Sequence, residues 1–247
     1  MKAFKTLLIT ESKLSLRGMD MLIFAICMPV VVMIILGIIY GSQPAFEGAS
    51  YTFLELSFGA VASIPICAGG LMGLPLVISD YRSKKILKRY KVTPISPALI
   101  LAVQFFIYTF YAIVSLLLVF LCASIMFGLQ FHGSLLAFLG AYLLVLLSMF
   151  SIGLLVGGLS PNVKTAGIAA SLLYFPMLIF SGATLPYEAM PAALQKAADF
   201  LPMAQGIKLL KAALLNLPVQ ASLLPIIVMA ALAVVCIVIS IHFFKWE

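Results

Sequence analysis

Charged residues are scarce in this sequence of 247 residues, of which Asp, Glu, Lys and Arg make up only 9%. A soluble domain typically has roughly 25%, so the chain cannot build the charged shell that a soluble fold needs. Five stretches carry no charge at all, namely residues 21–46, 56–79, 92–163, 165–187 and 212–244. Because long and mostly apolar runs are typical of membrane spans, the sequence predicts an all-α integral membrane protein.

Motifs for soluble catalysis are absent as well. The sequence contains no G-x-x-x-x-G-K-[ST], so the chain does not carry a P-loop ATPase, and it has no G-x-S-x-G, H-E-x-x-H or C-x-x-C. Its 4 cysteines lie inside apolar runs without metal-ligand spacing and are interpreted as packing residues. His132 and His242 are too far apart in the predicted topology to share a metal. We therefore predict no catalytic residue, no metal site and no cofactor on this chain.

Ionisable residues are also missing from the cores of the predicted spans. Glu55 and Asp80 lie only at the two ends of the second span. Carriers driven by protons or sodium ions usually place an ionisable group within their spans, because coupling needs a group that titrates or binds the ion. If this chain transports a substrate, we expect the energy to come from another subunit.

The apolar stretches predict six spans, since about 20 helical residues cross a hydrocarbon core of about 30 Å. The six lie at about 22–41, 56–79, 98–127, 135–158, 165–182 and 222–244. Glycine and polar residues at 128–134 separate the third span from the fourth. The first apolar run is too long for a signal peptide, so we expect it to remain as the first span. The whole chain, 1–247, is predicted to be a single transmembrane domain.

The positions of the 15 Lys and Arg residues predict the orientation. With a cytoplasmic N-terminus, four cations before the first span, six between 82 and 91, Lys164 and Lys245 all lie inside. Only three lie outside: Lys196, Lys208 and Lys211. Since cytoplasmic loops are rich in Lys and Arg, both termini are predicted to be cytoplasmic. The net charge of +7 is thus interpreted as the excess of cations in cytoplasmic loops rather than as a nucleic-acid-binding surface. No nucleic-acid partner is expected.

Four segments outside the spans show helical patterns, and three of them lack a dense run of basic residues. Residues 2–17 predict an amphipathic, N-terminal interfacial helix, although Glu11 falls on its apolar side. Residues 191–200 and 203–217 predict short external helices between spans 5 and 6, at or dipping into the outer surface. The second of these is too short to span comfortably. If it did cross the membrane, the C-terminus would lie outside.

The fourth segment is basic and follows the second span. Asp80 is predicted to cap a short cytoplasmic helix that stops before Pro94. Ile86, Leu87 and Tyr90 share one face of this helix, and cations fill the other. Two interpretations of the cations stay open: they could contact a partner protein, or they could set the topology and attract anionic lipid headgroups, at about 1 kcal/mol per Lys or Arg.

Four stretches, in order along the chain, together resemble the ABC-2-type transporter permeases. Residues 80–94 resemble the basic cytoplasmic loop of that family, and residues 152–162 with 164–166 resemble its fourth span and the turn into its fifth. The C-terminal part carries a turn motif similar to the family's signature, made of Ser181, Gly182, Pro186, Pro191 and Pro202. Residues 83–86 depart from the family pattern, because they replace its acidic and Gly-Thr character.

The resemblance implies one membrane half of a bacterial exporter in the cell (plasma) membrane. Such a chain pairs with a second permease, as a homodimer or heterodimer, and with two copies of a separate ABC ATP-binding subunit that binds ATP and Mg. Substrates across the family include drugs, antibiotics, peptides, ions, polysaccharides and lipid-linked compounds. The resemblance also implies an ATPase-coupling helix comprising Asp80, Arg82, Lys84, Lys85, Ile86, Leu87, Lys88, Arg89, Tyr90 and Lys91.

The alternative is a membrane protein without a transport role, either a scaffold or a lipid-modifying enzyme. An enzyme would need acid–base, nucleophilic or metal-binding groups near a bilayer surface. The candidates are few and show no recognisable spacing: Glu55, Asp80, Glu188, Asp199 and the two histidines. The resemblance therefore favours transport.

Overall fold

The computed structural model describes residues 2–19, 21–41, 43–46, 48–86, 97–184, 187 and 190–243. Within these residues the chain is helical and has no β-strand beyond an isolated bridge between Pro44 and Thr52. This confirms the all-α prediction for the described part of the chain.

Six of the described helices are long and apolar enough to cross a membrane. These are α2 (Leu22–Tyr40), α3 (Phe53–Ser83), α4 (Pro97–Phe127), α5 (Leu135–Leu159), α6 (Val163–Phe180) and α9 (Val219–Phe243). The remaining described helices are α1 (Lys2–Gly18), α7 (Ala192–Ala198) and α8 (Pro202–Leu214). The prediction of six spanning helices is therefore confirmed, and the chain is a multi-pass membrane protein.

Helix α3 lies at the centre of the bundle. In its most apolar stretch of 18 residues 83% are buried, against 22% in α2 and in α9. It contacts α2, α4, α5, α6 and α8. Because lipid can cover an apolar helix as well as protein can, the outer helices keep large apolar side chains exposed, such as Ile38 and Leu172. The central helix thus contacts five of the other described helices.

Helix α3 stays continuous across its two prolines by means of a π-helical segment, Ala68–Gly73. Proline interrupts the main-chain hydrogen bonds of an α-helix, and a π-helical turn accommodates the change. In this segment Gly70 lies against α5. A Cβ at Gly153 of α5 would overlap the Gly70 carbonyl oxygen, so glycine at 153 permits the close approach of the two central helices.

The short helix α8 enters the bundle and packs against α3, α5 and α9. At Gly206 a Cβ would lie 3.0 Å from the Val145 side chain, and Val145 is about 15 Å along α5 from its first residue. The opposite end of α8 lies at the α4–α5 turn, where the Gly133 N–H donates to the Leu214 carbonyl at 2.8 Å. Helices α7 and α8 therefore form a hairpin that dips into one end of the bundle. The predicted pair of short helices is present.

The end of α3 differs from the prediction for Asp80. The helix runs through to Ser83, so Asp80 lies within its last turns and does not cap a separate helix. The apolar pattern continues past the predicted end of the span at residue 79, since Tyr81 is buried in the core. Lys85 then takes a positive φ of 56°. Residues 87–93 of the predicted basic helix lie outside the described residues.

Candidate coupling site at one end of the bundle

Four elements meet at the end of the bundle opposite the α7–α8 hairpin. They are α1, the last turn of α3, the first turns of α4 and the α5–α6 turn at residues 160–162. We call this the basic end, because Arg82, Lys84, Lys85 and Lys164 lie there. Residues 84–91, which follow α3 in sequence, are called the basic segment. The other end, with the α4–α5 turn and the α7–α8 hairpin, is called the hairpin end. Among the described residues, five of the predicted site residues lie at the basic end and four lie at the hairpin end.

The buried carboxylate of Glu11 attaches α1 to the bundle. Its side chain accepts hydrogen bonds from the Tyr81 hydroxyl of α3 and from Gln104 Nε2 of α4, the latter at 3.0 Å. A buried carboxylate needs such partners, because leaving water without them is costly. From the sequence, Glu11 was only an exception to the apolar face of α1. A charged residue on an apolar face could have indicated a polar contact with another helix.

Arg82 lies next to Tyr81 and reaches in a different direction. Its side chain is buried, and its guanidinium donates to the carbonyl oxygens of Gly157 at 3.2 Å, of Gly158 at 2.9 Å and of Ser160. The last carbonyls of a helix lack partners within the helix and form its negative end. Arg82 therefore closes the C-terminus of α5. It was predicted as one of the coupling cations, and the structure places it inside the bundle rather than on its surface.

The neighbouring predicted residues are more exposed. Asp80 and Lys84 form an ion pair with an N–O distance of 2.8 Å, and Lys85 is exposed. Exposed pairs of this kind contribute about 0–1 kcal/mol. Ile86 is partly buried against the core. The remaining coupling residues fall outside the described residues: Leu87, Lys88, Arg89, Tyr90 and Lys91.

The external turn motif lies at the hairpin end. Gly182 has a φ of +98°, a conformation that side chains rarely adopt, and it ends α6 as the sequence predicts. Pro191 is the N-cap of α7, so this helix begins one position after the predicted start at Pro191, and Pro202 is at the start of α8. Pro186 falls outside the described residues.

Ser181 and Gly182 line a cavity of about 260 Å³ between α3 and α8. Ser57 of α3 and the lysines Lys208 and Lys211 of α8 also line it, among mostly apolar side chains. The cavity brings the turn motif together with the first turns of the central helix. Sequence reasoning did not predict this contact, because nothing in the apolar pattern shows which helix faces the turn.

Asp199 holds the α7–α8 hairpin together. Its Oδ1 accepts hydrogen bonds from the Tyr187 hydroxyl at 2.8 Å and from Lys208 Nζ at 2.6 Å. Partial burial alone raises the pKa of the Asp199 carboxyl, but the hydrogen bonds from Lys208 and Tyr187 and the Lys208 charge outweigh burial and lower its pKa. The carboxylate therefore joins a residue before α7 to a residue within α8.

At the first turn of α3 Glu55 makes a comparable connection. Its carboxylate is buried and accepts from the Thr52 N–H at 2.8 Å and from the Gln130 N–H of the α4–α5 turn at 3.1 Å. His132 Nε2 lies 3.4 Å from the same carboxylate. Thr52 Oγ1 accepts in turn from the Glu55 N–H at 3.2 Å, which completes a capping box. Glu55 thus joins the start of α3 to the α4–α5 turn.

Comparison with known proteins agrees with the resemblance. The ABC-2 type transporter family matches residues 2–215. The chain is 34% identical over 97 residues to Nodulation protein J of Rhizobium leguminosarum bv. viciae, an alignment that covers 39% of this chain and 35% of that protein. It is also 34% identical over 73 residues to Nodulation protein J of Neorhizobium galegae, covering 30% of this chain and 28% of that protein. These alignments span about a third of each relative. Because the family match covers most of the chain, the chain belongs to the ABC-2 type transporter family.

Proposed function

We propose that this chain is the permease subunit of an ATP-driven exporter, and that the ATP is bound with Mg and hydrolysed by a separate partner chain. Family membership supports the transport role. The sequence contains no P-loop of its own. The exporter then consists of two permease chains, as a homodimer or heterodimer, and two ATP-binding subunits.

The basic end supports the proposed site of coupling. At this end Glu11 attaches α1 to α3 and α4, and Arg82 attaches α3 to α5. The segment that follows α3 carries five cations between 84 and 91. A displacement applied to this segment by an ATPase would therefore act on an end of the bundle that buried polar contacts already join. This arrangement is the observation that carries the proposal.

The proposed orientation places the basic end in the cytoplasm and the hairpin end outside, in the cell membrane. It follows from the excess of Lys and Arg at the basic end. Single cysteines at positions 85, 45 and 196 test it in intact cells. We expect a membrane-impermeant thiol reagent to label positions 45 and 196 but not 85. External labelling of position 85 would reverse the orientation.

The proposed cargo leaves the cytoplasm and belongs to one of the classes that such permeases move: drugs, antibiotics, peptides, ions, polysaccharides or lipid-like compounds. The test begins with purification of the chain from its host, to find whether a P-loop ATPase copurifies. Substrate candidates are then screened for stimulation of ATP hydrolysis in lipid. Recovery of the chain without an ATPase from several mild detergents, combined with transport that ATP does not affect, would count against the proposal and favour a different energy source.

A further inference from the structure

The guanidinium of Arg82 connects the last turn of α3 to the end of α5. The residue follows directly after α3's buried Tyr81, and its guanidinium reaches Gly157, Gly158 and Ser160 at the end of α5. The planar guanidinium has five donors in a fixed arrangement, which allows it to hold several carbonyl oxygens at once. Only a few residues separate this contact from the basic segment that follows α3.

The environment of these carbonyls makes the contact a specific one. Gly157 packs against α3, where a Cβ would lie 3.0 Å from Pro75 Cα and 3.1 Å from the Ile78 side chain. The positive charge of Arg82 faces the negative end of the α5 dipole. A buried guanidinium that lost these oxygens would leave both the cation and the carbonyls without these partners, which is costly for both. The last turn of α3 and the end of α5 are therefore expected to move together, because separating them would break these hydrogen bonds at a high cost in free energy.

The α5–α6 turn continues from this contact without a long linker. Ser160 ends α5, and Asn162 begins α6 by accepting from the Thr165 N–H at 2.9 Å. A displacement of the end of α5 is therefore delivered directly to the start of α6. Helix α6 in turn leads to the turn at Gly182 and the α7–α8 hairpin.

We infer that Arg82 is a positioning residue that transmits displacement of the basic segment into α5 and α6 through the α5–α6 turn. The inference rests on the proposed ATP-driven function. It adds a second route beside the continuous chain into α4, which follows the basic segment in sequence. Through Arg82 the α5–α6 turn responds to the same partner as the segment between α3 and α4.

The test compares hydrogen–deuterium exchange in the complex of this chain with its copurified ATPase, with and without ATP and Mg. Two peptides are followed, one covering residues 84–91 and one covering residues 157–165. In the wild type we expect ATP to change the exchange rate of both peptides at least about threefold. In Arg82→Gln we expect a change of that size in the first peptide only. Arg82→Lys keeps the charge without the planar fork and should give a smaller response in the second peptide than the wild type.

The control variant is Arg17→Gln. Arg17 is an exposed cation of α1 at the same end of the bundle, so its loss tests whether any missing charge gives the same result. We expect Arg17→Gln to retain the ATP response of both peptides. Without ATP, Arg82→Gln should also exchange faster than the wild type at residues 157–165, because the end of α5 loses its donors.

The outcomes separate this inference from the proposed function. If ATP alters both peptides in Arg82→Gln and Arg82→Lys as in the wild type, Arg82 does not transmit the motion and the inference fails, while the ATP-driven function stands. If ATP alters neither peptide in the wild-type complex, the ATP-driven function fails and the inference fails with it. If Arg82→Gln does not insert, Arg82→Lys alone decides, and a full wild-type response in that variant overturns the inference.

Discussion

The two ends of α3 each carry one buried charged side chain, and the two charges serve opposite kinds of main-chain group. At the first turn the carboxylate of Glu55 accepts from N–H groups, one at the start of its own helix and one at Gln130 in the α4–α5 turn. At the last turn the guanidinium of Arg82 donates to carbonyls that belong to α5. Each charge is opposite in sign to the partial charge of the helix end that it meets.

The difference between the two ends is what each one is connected to. Glu55 binds the turn that precedes α5, and Arg82 binds the residues that end α5. Helix α3 therefore contacts both ends of α5. The Glu55 end is closed by a capping box with Thr52. The Arg82 end continues directly into the basic segment. The same physical device therefore fixes position at one end and, in our proposal, transmits motion at the other.

The largest effect is expected midway between the two ends, at the close approach of α3 and α5. In Gly153→Val the new side chain would overlap the Gly70 carbonyl, and neither backbone can move aside without separating the two central helices. We expect a loss of most of the folded protein, as for overpacked cores that cost at least about 1–3 kcal/mol. Fluorescence-detected size-exclusion chromatography measures the monodisperse fraction.

Gly140→Val is the matched control for this change. Gly140 lies in the same helix, and a Cβ there would meet no heavy atom within 4 Å. We expect its elution profile to match that of the wild type. Equal yields of monodisperse protein from both variants would show that α3 and α5 do not need this contact.

The next effect concerns the basic segment beyond the Arg82 end. Two double variants are compared there. One combines Leu87→Ser and Tyr90→Ser, and the other combines Lys84→Gln and Lys88→Gln. Apolar side chains buried against a partner contribute about 1.5–3 kcal/mol each, whereas exposed ion pairs contribute about 0–1 kcal/mol and weaken with salt. We expect the first variant to lose more of the copurifying ATPase and of ATP-dependent efflux.

Membrane insertion of both variants is confirmed first. If both retain the ATPase and export normally, the segment only attaches the loop to the membrane surface, and the proposed coupling role fails. A greater loss from the lysine variant would show that charge, and not the apolar face, carries the contact.

The apolar pattern was sufficient to predict the helices but not their contacts. Five charge-free runs predict six spans, because the length that crosses a bilayer is fixed and residues 92–163 are long enough for two spans. Gly182 indicates a turn because of the φ that it permits. The boundary at Asp80 was wrong, because an acidic residue suits a helix start as well as an interior ion pair with Lys84. Local sequence does not decide between these two roles.

The buried polar contacts could not be predicted for a related reason. Glu11, Gln104 and Tyr81 are distant in sequence, and their contact depends on which faces of α1, α3 and α4 meet. Arg82 was grouped with the surface cations because it lies in a basic run, yet its carbonyl partners come from α5. Pairing across helices requires the packing of the whole bundle, which a single sequence with apolar runs on every helix does not specify.

A smaller effect is expected at the Glu55 end. Glu55→Ala removes the acceptor of the Thr52 and Gln130 N–H groups, and each buried group left unpaired costs about 1–3 kcal/mol. We expect a lower thermal stability in detergent, with Glu55→Gln intermediate because its amide keeps one acceptor oxygen. The ATP-dependent exchange at residues 157–165 should persist in Glu55→Gln. Loss of that response would show that the two ends of α3 are not distinct in role.

The smallest effect is a pH dependence at the hairpin end, beside the first turns of α3. Hydrogen bonds from Lys208 and Tyr187 and the Lys208 charge lower the pKa of Asp199 in the folded protein, against the opposing effect of partial burial. The unfolded chain binds its proton at the ordinary pKa of about 3.9. The ionised carboxylate therefore stabilises the fold above that value, and this contribution is lost as the pH falls through the lower folded-state pKa. Since the carboxylate is partly exposed, the contribution is about 0–1 kcal/mol.

Thermal unfolding in detergent, followed from pH 6 to pH 3, should show a steeper loss of stability in the wild type than in Asp199→Asn. Lys196→Gln, which changes an exposed cation on α7, should follow the wild type. Parallel curves for the wild type and Asp199→Asn would mean that the hairpin is held by its apolar packing against α3, α5 and α9 alone.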